Sequence, residues 1–243
     1  MRILTQNAVI KALIFDFEGV IIRTEDYGPR HAWDERLGLP IGSVERAAQH
    51  SDLWIQAQLG RITDTAYWRG VAELLYMRGE DINELRRDYF RGDRLNYRLV
   101  DYIRELRAAG YAVALLCNEA LRFEERLRSL GIRDLFEPVI VSAMIGVMKP
   151  DPTAYRVALR DLRVAPHEAV FVDDSLTHVR GAQAVGLHAI LFRPETNLRD
   201  DLKPYLDVLL RWMPSRLQIQ TVAYADKDDL LEWAKRTKEF SDA

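Results

Sequence analysis

ALIFDFEGVII, residues 12–22, sets four apolar residues ahead of Asp16 and follows the acid with Phe17, Glu18 and Gly19. A short, uniformly apolar run reads as a strand covered on both faces, and residues 12–17 therefore bring Asp16 to a strand's carboxyl end. Similar runs recur downstream: YAVALLCNE at 111–119, PVIVS at 138–142, EAVFVDD at 168–174 and HAILF at 188–192. Helical spacing fills the gaps between them. Leu99, Ile103 and Leu106 precede Gly110, and Phe123, Leu127 and Leu130 precede Gly131. Asp151 and Pro152 form an N-cap and first helical residue ahead of Tyr155, Leu159 and Leu162; Val179, Ala182 and Val185 precede Gly186. This alternation predicts an α/β fold: a Rossmann-like, mostly parallel sheet with helices on both faces. Ligands of such sheets bind outside the strands' carboxyl ends.

Residues 23–93 break the alternation. They are rich in helix formers, show no clean apolar strand, and carry apolar mass in Trp33, Leu37, Trp54, Leu59, Tyr67, Trp68, Leu74 and Leu75. Asp81 followed by Glu84 has the spacing of a capping box. The segment reads as an inserted α-helical cap that closes over the sheet's carboxyl edge. The predicted domains are a core of residues 1–22 and 94–210, the cap of 23–93, and a C-terminal extension of 211–243 packing on the core or on a partner. Helices are expected at 201–212 and 226–240, and an edge strand at 216–224.

The 243 residues suffice for one substantial core and a small accessory domain. A formal charge of -3 gives no global basic signature for a nucleic-acid partner. Cys117 is the sole cysteine, which excludes an internal disulfide and a multi-cysteine zinc cluster. No stretch reaches the roughly 20 apolar residues of a membrane span, and the first residues lack a signal peptide's apolar run. A cytoplasmic protein, monomer or homodimer, is expected, with no membrane partner.

The polar groups at the strand ends carry the chemistry. Asp16 and Glu18 follow the first strand, Asp173 and Asp174 follow EAVFVDD, and Lys149 precedes the helix at Pro152. Carboxylates brought together repel unless a cation intervenes, and hard oxygen donors favour Mg²⁺. Lys149 adds a second positive charge. Such a pocket accepts an anion beside a carboxylate, so Asp16 can attack phosphorus and form an aspartyl-phosphate. Glu18 is the candidate to protonate the leaving oxygen and then activate water. Backbone N–H groups at 17–19 and 118–120 complete a phosphate cradle.

In these stretches the chain resembles the haloacid dehalogenase-like superfamily, in the branch with a helical cap after the first strand. ALIFDFEGVII matches the first motif, YAVALLCNE the second, GVMKPDPTAY (146–155) the third and VFVDDSLTHVRGAQAVGLHAI (170–190) the fourth. The resemblance implies a phosphatase of a small phosphorylated metabolite. Asp16 would be the nucleophile and Lys149 the family lysine. Metal contacts would come from Asp16, the backbone carbonyl of Glu18, Asp173 and Asp174. Cys117 and Asn118 would sit at the phosphate-binding positions.

Four positions depart from that pattern. Glu18 stands where the phosphatases have Asp, Cys117 where they have Ser or Thr, Glu119 where a small residue is common, and His178 where Asp or Asn is common. A catalytically weakened binding or scaffold protein is therefore an alternative. Dehalogenation of a 2-halo acid and a mutase reaction are lesser ones. Arg23, Tyr27, Arg30 and His31, at the junction with the cap, are candidates for substrate contact.

Overall fold

The structure, a computed structural model, describes residues 9–78 and 81–206. The chain divides into two units, Met1–Leu198 and Arg199–Ala243. In the second, the described residues belong to a helix at Leu198–Leu206 that carries Pro204. The expected strand at 216–224 and helix at 226–240 lie outside the described residues, as does the helix predicted at 201–212 beyond residue 206. No helix among the described residues is long and apolar enough to cross a membrane.

The first unit is built on a five-stranded parallel sheet. Its strands are β1 (Ala12–Phe15), β4 (Ala112–Cys117), β5 (Val139–Val141), β6 (Ala169–Asp173) and β7 (His188–Leu191), in the order β5-β4-β1-β6-β7. β1 lies at the centre, with Phe15 in register with Leu115 on one side and Val172 on the other. The strand order reverses direction across β1, so its carboxyl end opens into the crevice where α/β sheets bind ligands.

Strand alternation splits the core between the two faces. Ala12, Ile14, Ala114, Leu116 and Phe171 pack with Tyr155, Ala158 and Leu159 of α9 (Pro152–Leu162) and Ala182 of α10 (Leu176–Val185). The alternate residues Leu13, Phe15, Val113, Leu115, Val170 and Val172 are equally buried. On the flanks, α6 (Tyr97–Ala108) buries Leu99, Ile103 and Leu106, while α7 (Phe123–Ser129) buries Phe123 and Leu127. Asp151 caps α9 by accepting from Thr153 N at 2.7 Å. The single turn α8 (Ser142–Ile145) follows β5.

Between β1 and α6 the chain forms five helices: α1 (Gly28–Arg36), α2 (Ser43–Gln49), α3 (Asp52–Gln58), α4 (Asp64–Leu74) and α5 (Ile82–Tyr89). They bury a cluster of their own around Trp33, Tyr67, Trp68, Val71, Leu85 and Tyr89. Leu74 lies outside that cluster and is half exposed. Asp81 caps α5 through Asn83 N at 2.8 Å, while Glu84 pairs with Arg36 at 3.1 Å.

The insertion is framed by a feature the hydropathy pattern does not show. β2 (Ile22–Thr24) and β3 (Asp93–Leu95) pair antiparallel, with Arg23 opposite Arg94 and Thr24 opposite Asp93. These short strands are largely polar. They are held by a ladder and by ion pairs rather than by an apolar face, so residues 23–93 hold no clean apolar strand and yet form strand at both ends.

Candidate active site

Asp16 follows β1 directly, and Asp173 ends the neighbouring β6. Lys149 arrives from the loop before α9 and is buried between them. Its Nζ lies 2.7 Å from Asp16 Oδ1 and 2.7 Å from Asp173 Oδ2. The lysine is fixed by its own backbone. Asn118, one residue past β4, accepts from Lys149 N at 2.8 Å through Oδ1 and donates to Lys149 O at 3.0 Å through Nδ2. Asn118 is thus spent on positioning the lysine. Its carbonyl in turn accepts from Gln58 Nε2 of α3 at 2.7 Å, which ties the cap to this loop.

Asp16 Oδ1 also accepts from Phe17 N at 2.7 Å. Asp173 accepts from Ser175 N at 2.8 Å and lies 3.1 Å from His178 Nδ1. Asp174 turns toward the loop after β1. Gly19 has φ +76, and a Cβ there would stand 1.9 Å from Asp174 Oδ2. Only glycine lets that loop and that carboxylate approach so closely.

The charges in this pocket are unequal. Burial pushes the Asp16 carboxyl up to about 8, against the pull of Lys149 and with the help of Asp173. Burial also raises Asp174, aided by Asp173. For Asp173 burial acts in the same direction, but Lys149 and His178 outweigh it and hold the carboxyl well below the usual range. Burial lowers Lys149, but Asp16 and Asp173 outweigh it and keep the ammonium charged. One ammonium faces three carboxyls. The ligand atoms of Asp16, Asp173 and His178 all lie within 4.8 Å of one another, a candidate metal-binding cluster. Its oxygen donors and its excess of carboxyl groups over cations fit a hard divalent ion. Asp174 lies outside that tight group, and His178 enters it.

The remaining sequence candidates are placed differently. The Cys117 thiol is buried and donates to Ile140 O at 3.6 Å, so it is directed into the sheet rather than offered to a phosphate. Burial pushes its pKa up. The Glu18 side chain reaches Arg126 of α7, with Oε1 at 3.3 Å from Nη1. Arg30 is buried, with Nη2 2.8 Å from Thr24 Oγ1 and 3.3 Å from Asp93 Oδ1 and Nη1 3.4 Å from Glu45, so it serves the junction rather than a substrate. Arg23 donates to Gly19 O at 2.9 Å, and Tyr27 stacks on His31 with ring centroids 6.1 Å apart.

Arg126 is the functional residue that sequence reasoning did not single out. It joins Glu18, Asp93 at 2.6 Å and Glu119 at 3.6 Å, and its guanidinium lies over the rings of Phe17 and Phe90. The loop after β1, β3 and the loop after β4 therefore meet on one cation. The only signal in the sequence was a need: Glu18 and Glu119, acids just past two neighbouring strand ends, call for a neutralising partner.

The match to a family model decides the relationship. Residues 10–186 match the haloacid dehalogenase-like hydrolase model. The chain belongs to the haloacid dehalogenase-like hydrolases. It is 29% identical over 178 residues to the sesquiterpene phosphatase astK of Aspergillus oryzae, covering 73% of this chain and 87% of that protein. It is 37% identical over 177 residues to a phosphoserine phosphatase of Thermus thermophilus, covering 67% and 68%. Some relatives are longer proteins, of which the chain spans 36–40%. The haloacid dehalogenase family enzyme bt-2542 of Bacteroides thetaiotaomicron shares the fold, with TM-score 0.70, 20% identity, and coverage of 80% of this chain and 98% of that one. That enzyme has also been solved with magnesium and inorganic phosphate.

Proposed function

We propose that this chain is a Mg²⁺-dependent phosphatase of a small phosphorylated metabolite, working through an aspartyl-phosphate on Asp16. The observation that carries the reading is the Lys149 ammonium held 2.7 Å from both Asp16 and Asp173 at the carboxyl end of the central strand. Two relatives bear phosphatase names, which supports the reaction type.

Asp16 attacks phosphorus, and the bond from phosphorus to the substrate's alcohol oxygen breaks. Glu18 gives that oxygen its proton. As a carboxylate, Glu18 then takes a proton from water, whose oxygen attacks phosphorus and releases inorganic phosphate and free Asp16. Lys149 screens the charge on the transferring group while its hydrogen bond orients Asp16. The Phe17 N–H fixes the same carboxylate oxygen. Asn118 acts through the lysine backbone it pins. Asp16, Asp173, Asp174 and the Glu18 carbonyl would hold Mg²⁺, which supplies charge neutralisation for carboxylates and phosphate alike.

The pairing of Glu18 with Arg126 supports a second reading, a weakened enzyme that binds phosphate esters without turning them over. Phosphate release from a panel of monoesters, with and without Mg²⁺, separates the two. Hydrolysis that needs both Mg²⁺ and Asp16 is the expected result. Tight binding with no release across the panel would favour the second reading.

A further inference from the structure

We infer that the group esterified to the phosphate is apolar: the substrate class is the monophosphate of an alkyl, prenyl or aryl alcohol. This rests on the phosphatase reading and names what the same site selects. A cavity of about 430 Å³ lies between the cap and the core, within the size range of roughly 300–1,000 Å³ typical of small-molecule sites. Its walls include Trp54, Tyr67, Trp68, Tyr89, Phe90 and Phe123. Glu18 lines it, and Glu18 also lines the neighbouring cavity that holds Gly19 and Asp174. Asp16 itself lines neither cavity, and Glu18, two positions on, is the residue past which the alcohol of an ester held at Asp16 would enter this space.

The wall is rigid. Trp54 packs on Tyr67 at 5.4 Å, Trp68 on Tyr89 at 5.6 Å and Trp68 on Phe90 at 6.1 Å between ring centroids. The charged groups around it are largely spent on one another: Arg86 pairs with Asp64 at 2.8 Å, Arg126 with Asp93 at 2.6 Å, and Arg122 with Glu125. Arg87 is exposed. Two buried lining atoms have no hydrogen-bond partner among the described residues, Tyr89 Oη and Glu119 Oε1. Nearly half of the lining side chains are charged, yet most of the surface the cavity exposes is apolar, with the six aromatic rings beside Ile22, Ala120 and Leu130, and that is the pattern of a site for a largely apolar body.

Each methylene withdrawn from water favours binding roughly fourfold. The test is a series of n-alkyl phosphates from ethyl to decyl, below their micellar concentrations and with Mg²⁺, beside O-phosphoserine and glucose 6-phosphate. The expected result is a kcat/KM that rises about two- to fourfold per methylene until the cavity is full, with decyl phosphate at least about tenfold above both polar esters. A flat or falling series, or preference for a polar ester, overturns the inference and leaves the phosphatase reading standing. Decanol binding, read by tryptophan fluorescence and weakened in Trp54→Ala, supports the apolar pocket even where no ester is hydrolysed, an outcome that removes the phosphatase reading alone. Absence of both hydrolysis and decanol binding overturns both.

Discussion

Arg126 Nη1 stands 3.3 Å from Glu18 Oε1, at the tip of the side chain two positions beyond Asp16. The longer glutamate reaches the guanidinium that also holds Asp93 at 2.6 Å. Glu18→Asp withdraws the carboxyl by one methylene from Arg126 toward its own backbone, while Arg126 keeps Asp93. Turnover is expected to rise in that variant. Glu18→Gln is expected to lose about 100- to 10,000-fold in kcat, the usual worth of a general acid–base. Steady-state phosphate release measures both; undiminished turnover in Glu18→Gln would remove Glu18 from the chemistry.

Lys149→Met leaves Asp16 and Asp173 facing each other without their shared cation. Breaking a buried ion pair from one side costs about 3–5 kcal/mol. The two carboxyls can relieve part of that by taking up protons. The loss in denaturant stability is therefore expected to be larger at pH 8 than at pH 5. An equal loss at both would contradict the coupling of the three side chains.

Much of this site could be read from sequence because its acids sit at the ends of apolar strands and its lysine just ahead of a capped helix. Asp16, Asp173 and Asp174 announce themselves by position after β1 and β6, Lys149 by its place before Asp151 and Pro152, and parallel pairing of β1 with β6 does the rest. What stayed hidden depends on side-chain direction. Nothing in the spacing of α7 distinguishes Arg126 from the other arginines on that helix. Cys117 looks like a phosphate-loop residue until its thiol is found on Ile140 O. β2 and β3 escaped because Arg23, Thr24, Asp93 and Arg94 lack the apolar pattern by which strands are recognised.

Glu119 gives a pH signature. Burial and the charge of Glu18 push its carboxyl from 4.5 to about 8, against the pull of Arg126. A raised carboxyl contributes stability that is fully present below about 4.5 and is lost as pH rises through about 8. Glu119→Gln removes that loss. Its gain in Tm over the parent is expected to grow between those two values, reaching about 3 °C or more at pH 8. A pH-independent difference would show that Glu119 is not held protonated.

Mg²⁺ held by Asp16, Asp173 and Asp174, as proposed, would stabilise the folded chain by mass action. At one hundred times its dissociation constant the gain is about 2.7 kcal/mol, on the order of 5–10 °C in Tm. Thermal melts in MgCl₂ and in EDTA should show this shift in the parent and little of it in Asp173→Asn or Asp174→Asn. The same shift in all three proteins would place the ion elsewhere.

The proposed reaction turns on a covalent bond between phosphorus and the Asp16 side chain. Rapid acid quench during turnover, followed by mass spectrometry of the peptide that carries Asp16, looks for it directly. A phosphoryl adduct on Asp16, absent along with phosphate release in Asp16→Asn, is the predicted result. Phosphate release that continues in Asp16→Asn, or turnover with no adduct on that peptide, would contradict it.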